Sequence, residues 1–128
     1  MTPFTKCALI ILLTLTMCSL AQSYRLAVRN ELGENMTIQC RSKDRDIGRK
    51  EISDQVWYMW DFELKYFEYW DCSIWWSQAS AKFPVFRPGD AHEGRCAPYY
   101  CMWFARRDGI YLFITSTHTY EKKYLWPH

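Results

Sequence analysis

Asp44, Asp46 and Gly48 fall within one charged run, Cys40-Arg41-Ser42-Lys43-Asp44-Arg45-Asp46-Ile47-Gly48. Alternating carboxylates ahead of a glycine suggest a calcium loop, in which side-chain oxygens at fixed spacing surround a hard cation. The match then fails. Gly48 stands at the fifth position, where an oxygen ligand is needed, Arg49 replaces the turn glycine, and Gln55 replaces the bidentate Glu. Lys43, Asp44, Arg45 and Asp46 alternate in sign and are expected to form a solvated loop with local ion pairs.

Other residue types that could do chemistry are equally scattered. Cys96 and Cys101 have zinc-like spacing, but no second close pair accompanies them. His92, His118 and His128 lie near no nucleophile in the sequence, and the chain has no Gly-x-Ser-x-Gly elbow or His-Glu-x-x-His helix. Asp61 and Glu63 could share one face of a strand, as paired acids do in glycoside hydrolases. Trp75 and Trp76 could stack on sugars, although neighbouring strand residues point to opposite faces. No catalytic residue, metal or cofactor is expected.

The elements that carry these residues begin with a leader. Lys6 precedes an apolar run from Cys7 to Met17, and Ser19-Leu20-Ala21 offers small residues at the −3 and −1 positions of a cleavage site. Residues 1–21 read as a secretory signal peptide. Residues 22–128 are long enough for one domain. No later run is apolar enough for a transmembrane helix. Of the formal net charge of +2, Lys6 contributes one. So small a balance argues against nucleic acid, which demands a strong basic footprint.

Cys7 and Cys18 leave with the leader. Cys40, Cys72, Cys96 and Cys101 remain, and in an oxidising compartment they are expected to form two disulfides. Three pairings are possible and the sequence leaves them open. The one preferred is Cys40 with Cys101 and Cys72 with Cys96, tying an early strand to a late one.

The hydrophobic period is two along most of the chain. Strands are expected at residues 24–30, 36–40, 56–62, 68–76, 83–86, 101–106 and 110–114. Asn30-Glu31-Leu32-Gly33-Glu34 is a turn, and residues 41–50 and 87–95 are polar loops. Pro84 suits its strand to a sheet edge. Asp108-Gly109 marks a hairpin. All seven Trp and all nine Tyr follow the leader, supplying a dense aromatic core. The predicted fold is all-β: a small antiparallel β-sandwich of about seven or eight strands, stapled by two disulfides.

In order along the chain, several pieces resemble the plant self-incompatibility S-protein family, also called S-protein homologues. They are the leader, Asn30-Glu31-Leu32, the Cys40 to Gly48 run, Tyr58-Met59-Trp60-Asp61-Phe62, the strand bearing Cys72, and Phe83-Pro84-Val85-Phe86. Cys96, Cys101-Met102-Trp103 and Asp108-Gly109-Ile110-Tyr111-Leu112 complete the pattern. Lys43, Asp44, Asp46 and Gly48 carry its signature loop. The chain departs ahead of Cys72, where Tyr66-Phe67-Glu68-Tyr69-Trp70-Asp71 replaces the family's Phe-Gly turn. The resemblance implies a small, secreted β-sandwich of a flowering plant. Its founding members act in the pistil as ligands of a pollen-surface receptor. It thus implies a cell-surface protein receptor as partner, in self-incompatibility or in other cell–cell signalling.

The polar loop at residues 87–95 is the preferred place for recognition, through Arg87, Asp90, His92, Glu93 and Arg95. Tyr99 and Tyr100 could form a disulfide-presented aromatic tip. Asn35-Met36-Thr37 is a glycosylation sequon. The alternative reading is a secreted carbohydrate-binding module, or a hydrolase or inhibitor acting in the cell wall.

Overall fold

A computed structural model describes residues 23–65, 67–90, 96 and 99–127. The expected signal peptide, residues 1–21, lies outside them. Nine strands follow one another: β1 Ser23–Glu31, β2 Met36–Ser42, β3 Lys50–Ile52, β4 Trp57–Glu63, β5 Trp70–Trp76, β6 Ala79–Phe86, β7 Tyr100–Arg106, β8 Gly109–Ile114 and β9 Thr119–Tyr124. They build a five-stranded sheet, β4-β1-β7-β8-β9, and a four-stranded sheet, β3-β2-β5-β6.

The all-β sandwich stands, with more strands than expected. β3 is a three-residue edge strand, two of whose residues are exposed. β9 is another edge strand, mostly exposed. Neither alternates between apolar and polar residues, because neither contributes a regular buried face. A further difference lies at the centre of the larger sheet. β1 and β7 run parallel, with Leu26 opposite Cys101 and Val28 opposite Trp103. The other pairings are antiparallel. Pro84 does sit on an edge strand, β6.

Alternation on the inner faces fills the space between the sheets. Tyr24, Leu26 and Val28 of β1 meet Ile38, Cys72 and Ile74 of the smaller sheet in one buried cluster. Tyr24, Phe62, Phe86 and Trp70 pack with ring centroids 5.1–5.6 Å apart. Such separations suit tilted and edge-to-face aromatic contacts. Asn30 is wholly buried, and its amide is fully used. Its Nδ2 donates to the carbonyls of Glu34 and Ile52, and its Oδ1 accepts from the Leu32 amide. This is why the turn after β1 begins with Asn.

The disulfides are Cys40–Cys72 and Cys96–Cys101, which corrects the expected pairing. Cys40 and Cys72 are direct partners across β2 and β5, with Cα atoms 4.0 Å apart. The Cys40 amide hydrogen-bonds to the Tyr58 hydroxyl and its carbonyl accepts from Ile47, so neither group joins the ladder to β5. Non-hydrogen-bonded antiparallel pairs bring side chains closest. Cys101 instead is the second residue of β7 in the other sheet, within reach of Cys96 on its own approach segment.

The sandwich has two distinct ends. At one, β2 stops at Ser42, β4 at Glu63 and β6 at Phe86, while β1 and β7 begin. Residues 41–49, 64–69 and 87–90 therefore emerge together. Turns 32–35, 53–56, 77–78 and 107–108 meet at the other end. There Glu34 accepts from Ser77, Asp54 accepts from the Gly33 amide, and Arg107 donates to the Leu32 carbonyl.

Candidate recognition surface

The signature run closes an open sheet edge. β3 covers β2 only from Met36 to Ile38, so the edge beyond would expose unpaired backbone groups. Residues 41–48 fold back along it. Ile47 donates to the Cys40 carbonyl, the Ser42 amide donates to the Arg45 carbonyl, and Arg41 bridges Asp46. Asp46 accepts from the Gly48 amide at 2.9 Å and from Gln39 Nε2 at 2.8 Å. Its carboxylate thus shapes the turn. Gly48 has φ +103°, a conformation that favours glycine.

Tyr58 locks this loop from the opposite sheet. Its hydroxyl donates to the Gly48 carbonyl and accepts from the Cys40 amide. Burial pushes its phenol above the usual tyrosine value, the Cys40 amide opposes this, and the Asp46 charge adds to it. With the backbone held, Lys43, Asp44 and Arg45 project into solvent. Arg45 also donates to the Asp61 carbonyl and lies 5.6 Å over the Trp70 ring.

Residues 64–69 lie beside this loop. Ser42, Asp44, Lys65 and Glu68 line two adjoining clefts of about 260 and 350 Å³. Phe67 is 77% exposed and Tyr69 is 45% exposed. Sequence reasoning missed this segment by starting a strand at Glu68, whereas β5 begins at Trp70. The signal was the departure from the family pattern ahead of Cys72, which places aromatic residues where a Phe-Gly turn is usual. Tyr66 itself lies outside the described residues.

Among the candidates at 87–95, Arg87 is exposed and Asp90 is buried. An Asp90 carboxylate oxygen accepts from the Arg87 amide at 2.8 Å, and the Asp90 amide donates to the Arg87 carbonyl. Asp90 therefore holds the turn and is withdrawn from direct contact with a partner. His92, Glu93 and Arg95 lie outside the described residues. Cys96 is buried, whereas Tyr99 and Tyr100 are exposed. Asn35 is exposed at the opposite end, immediately before β2.

The residues considered for catalysis are not assembled. Asp61 accepts from Nε and Nη2 of Arg25, which hold its carboxyl below the usual range. His118 is exposed and packs edge-on near Phe113, while His92 and His128 lie outside the described residues. No group of three or more metal-binding side chains converges among the described residues. Arg49 covers the Trp75 ring at 4.3 Å. Trp76 packs against Trp126 and beneath Arg107. Stacking a sugar on those ring faces requires displacing these neighbours.

The geometry defines a disulfide-stapled β-sandwich with a pinned, charged loop end. The profile described as Plant self-incompatibility protein S1 matches residues 25–126, and the chain belongs to that family of small secreted plant proteins. Three relatives from Arabidopsis thaliana are similar to it. S-protein homolog 2 is 26% identical over 105 residues, covering 77% of this chain and 65% of the relative. S-protein homolog 29 is 27% identical, covering 71% and 67%. S-protein homolog 12 is 23% identical, covering 91% and 78%. A solved structure of SPH (Self-Incompatibility Protein Homologue) proteins, described as small, highly stable, secreted proteins from plants, superposes with a TM-score of 0.59. It is 16% identical, covers 84% of this chain and 93% of the solved one, and shares the fold.

Proposed function

We propose that the protein is an extracellular ligand for a cell-surface protein receptor, acting in cell–cell signalling of the kind its family serves. The observation that carries this reading is the convergence of residues 41–49, 64–69 and 87–90 at one end of a rigid body. Tyr58, Asp46 and Asp90 fix the backbones there. Lys43, Asp44, Arg45, Arg87 and Phe67 are left exposed on them. Charged groups on fixed loops provide orientation and partner discrimination, and an exposed aromatic provides an anchor. Self-incompatibility is one such role, and pistil-specific, polymorphic expression is its signature.

The test is saturable binding of labelled protein to plant protoplasts. Lys43→Glu with Arg87→Glu, and separately Phe67→Ser, should each weaken binding by about tenfold or more, the scale of a central contact of about 1.4 kcal/mol. Wild-type binding by these variants and by a replacement of the whole 87–95 loop would sink the reading.

A further inference from the structure

The outer face of the five-stranded sheet is unusually apolar for a solvent-facing surface. β4 presents Trp57 and Met59, β7 presents Tyr100, Met102 and Phe104, and Phe113 and Tyr120 continue across β8 and β9. Met59 is 47% and Tyr120 48% exposed. The aromatic residues form a contiguous series. Trp57 meets Phe104 at 5.4 Å, Phe104 meets Tyr120 at 5.0 Å, and Tyr120 meets Phe113 at 5.1 Å. Phe104 is itself buried beneath this series, at 6% exposure, and the apolar surface its neighbours leave open is of the kind that marks interaction sites.

The face also has a shaped recess. Ala27 is paired with Met59 on one side and Met102 on the other. The small methyl between two long side chains leaves an open groove of about 350 Å³, closed at its ends by Trp57 and Tyr100. Methionine walls are polarisable and adapt to varied apolar shapes.

Charge indicates what belongs there. Arg25 is matched by Asp61 and Lys122 by Asp108. Arg29 and Arg106 instead share a single carboxylate, Glu31, at 3.3 and 2.8 Å. Both guanidinium groups lie over rings of the same face, Arg29 over Trp57 and Arg106 over Tyr111 and Tyr120. Where β1 and β7 end, the face is therefore rich in cation and short of anion. A second copy would bring the same two guanidinium groups on one carboxylate, Arg29 and Arg106 on Glu31, and deepen that shortage.

We propose that this face docks an extended, acidic segment of a partner protein. A bulky apolar side chain fills the groove over Ala27, and a carboxylate reaches the Arg29–Arg106 pair. Ala27 and Arg29 are two residues apart on β1, a rise of roughly 7 Å. That spacing suits an apolar residue and an acid at i and i+2 of an extended partner strand. The inference does not rest on the loop end, which occupies different residues.

The full secreted chain, labelled with carbon-13 in its methionine methyls, tests it by NMR titration. The probes are acetyl-Gly-Trp-Ser-Glu-Gly-amide, the same peptide with Lys in place of Glu, and cellohexaose. The Met59 and Met102 methyls should shift saturably with the acidic peptide, at least about tenfold more tightly than with the basic one, as charge-assisted hydrogen bonds require. Arg29→Gln and Arg106→Gln, tested separately, should abolish that preference. Met102→Glu should weaken acidic-peptide binding while leaving protoplast binding through the loop end unchanged. Methyl dispersion reports whether each variant folds. Equal response to both peptides, no response to either, a stronger response to cellohexaose, or shifts with protein concentration alone would each overturn the proposal.

Discussion

The Tyr58 hydroxyl donates to the Gly48 carbonyl at 2.8 Å, joining an inner-face residue of one sheet to the signature loop beside the other. The same oxygen accepts from the Cys40 amide at 3.3 Å. One phenol thus completes the backbone of both the disulfide strand and its covering loop. Removing it leaves a buried amide unsatisfied, which costs about 1–3 kcal/mol. Tyr58→Phe is expected to lower unfolding free energy by that amount in a urea titration. Amide exchange in residues 41–48 should also rise more than in β7. Unchanged exchange in that loop would show that the hydroxyl does not hold it.

The two disulfides should differ in their effect on stability. Cys40–Cys72 closes a span of 32 residues and Cys96–Cys101 a span of 5. Chain entropy alone gives roughly 4 kcal/mol for the first and roughly 2 kcal/mol for the second. Non-reducing peptide mapping should recover both pairs. Cys40→Ala with Cys72→Ala should be the more destabilising double variant in denaturant, while Cys96→Ala with Cys101→Ala should chiefly loosen the approach to β7. Recovery of a Cys40–Cys101 peptide would contradict the strand register itself.

Much of the fold was legible because burial repeats every second residue in the central strands. Leu26, Val28, Trp60, Phe62, Trp103 and Leu112 all occupy positions that alternation assigns to the interior. Asn30 was legible as a turn residue, since its side chain satisfies local backbone groups. Strand adjacency was not legible. Whether Cys40 faces Cys72 or Cys101 depends on which strands become neighbours, a non-local outcome that periodicity does not encode. The parallel β1–β7 pairing escaped notice for the same reason. At the loop end, Asp90 looked like a contact residue because it is charged and near Gly89. Its carboxylate instead folds back onto the Arg87 amide. The outer aromatic face was not legible because alternation assigns residues to two faces of a strand and does not say which face stays uncovered.

Alkaline pH should weaken the fold through Tyr24. Burial, aided by the Asp90 carboxylate, pushes its phenol far above the usual tyrosine value. The folded chain therefore keeps this proton at a pH where the unfolded chain has lost it. Its contribution is intact below about pH 10, the unperturbed tyrosine value, and falls as pH rises further. Melting temperature should fall as pH rises above about 10. Tyr24→Phe retains the ring that packs on Phe62 and Phe86 and should reduce that drop. If wild type and variant lose stability in parallel, the buried phenol is not responsible.

Glycosylation at Asn35 should leave recognition untouched. The residue is exposed immediately before β2, where the turns that join β1 to β2 and β5 to β6 meet. Residues 41–49 and 64–69 emerge from the far ends of β2 and β4. A strand of seven residues such as β2 spans roughly 20 Å, so a glycan on Asn35 projects away from the loop end. Protein secreted from plant cells should show a heavier Asn35 peptide that glycosidase treatment returns to the expected mass. Asn35→Gln should abolish that shift and bind protoplasts as wild type does. A marked change in protoplast binding on removing the glycan would place part of the receptor contact at the Asn35 end, and the recognition surface would have to be redrawn around the turns that meet there.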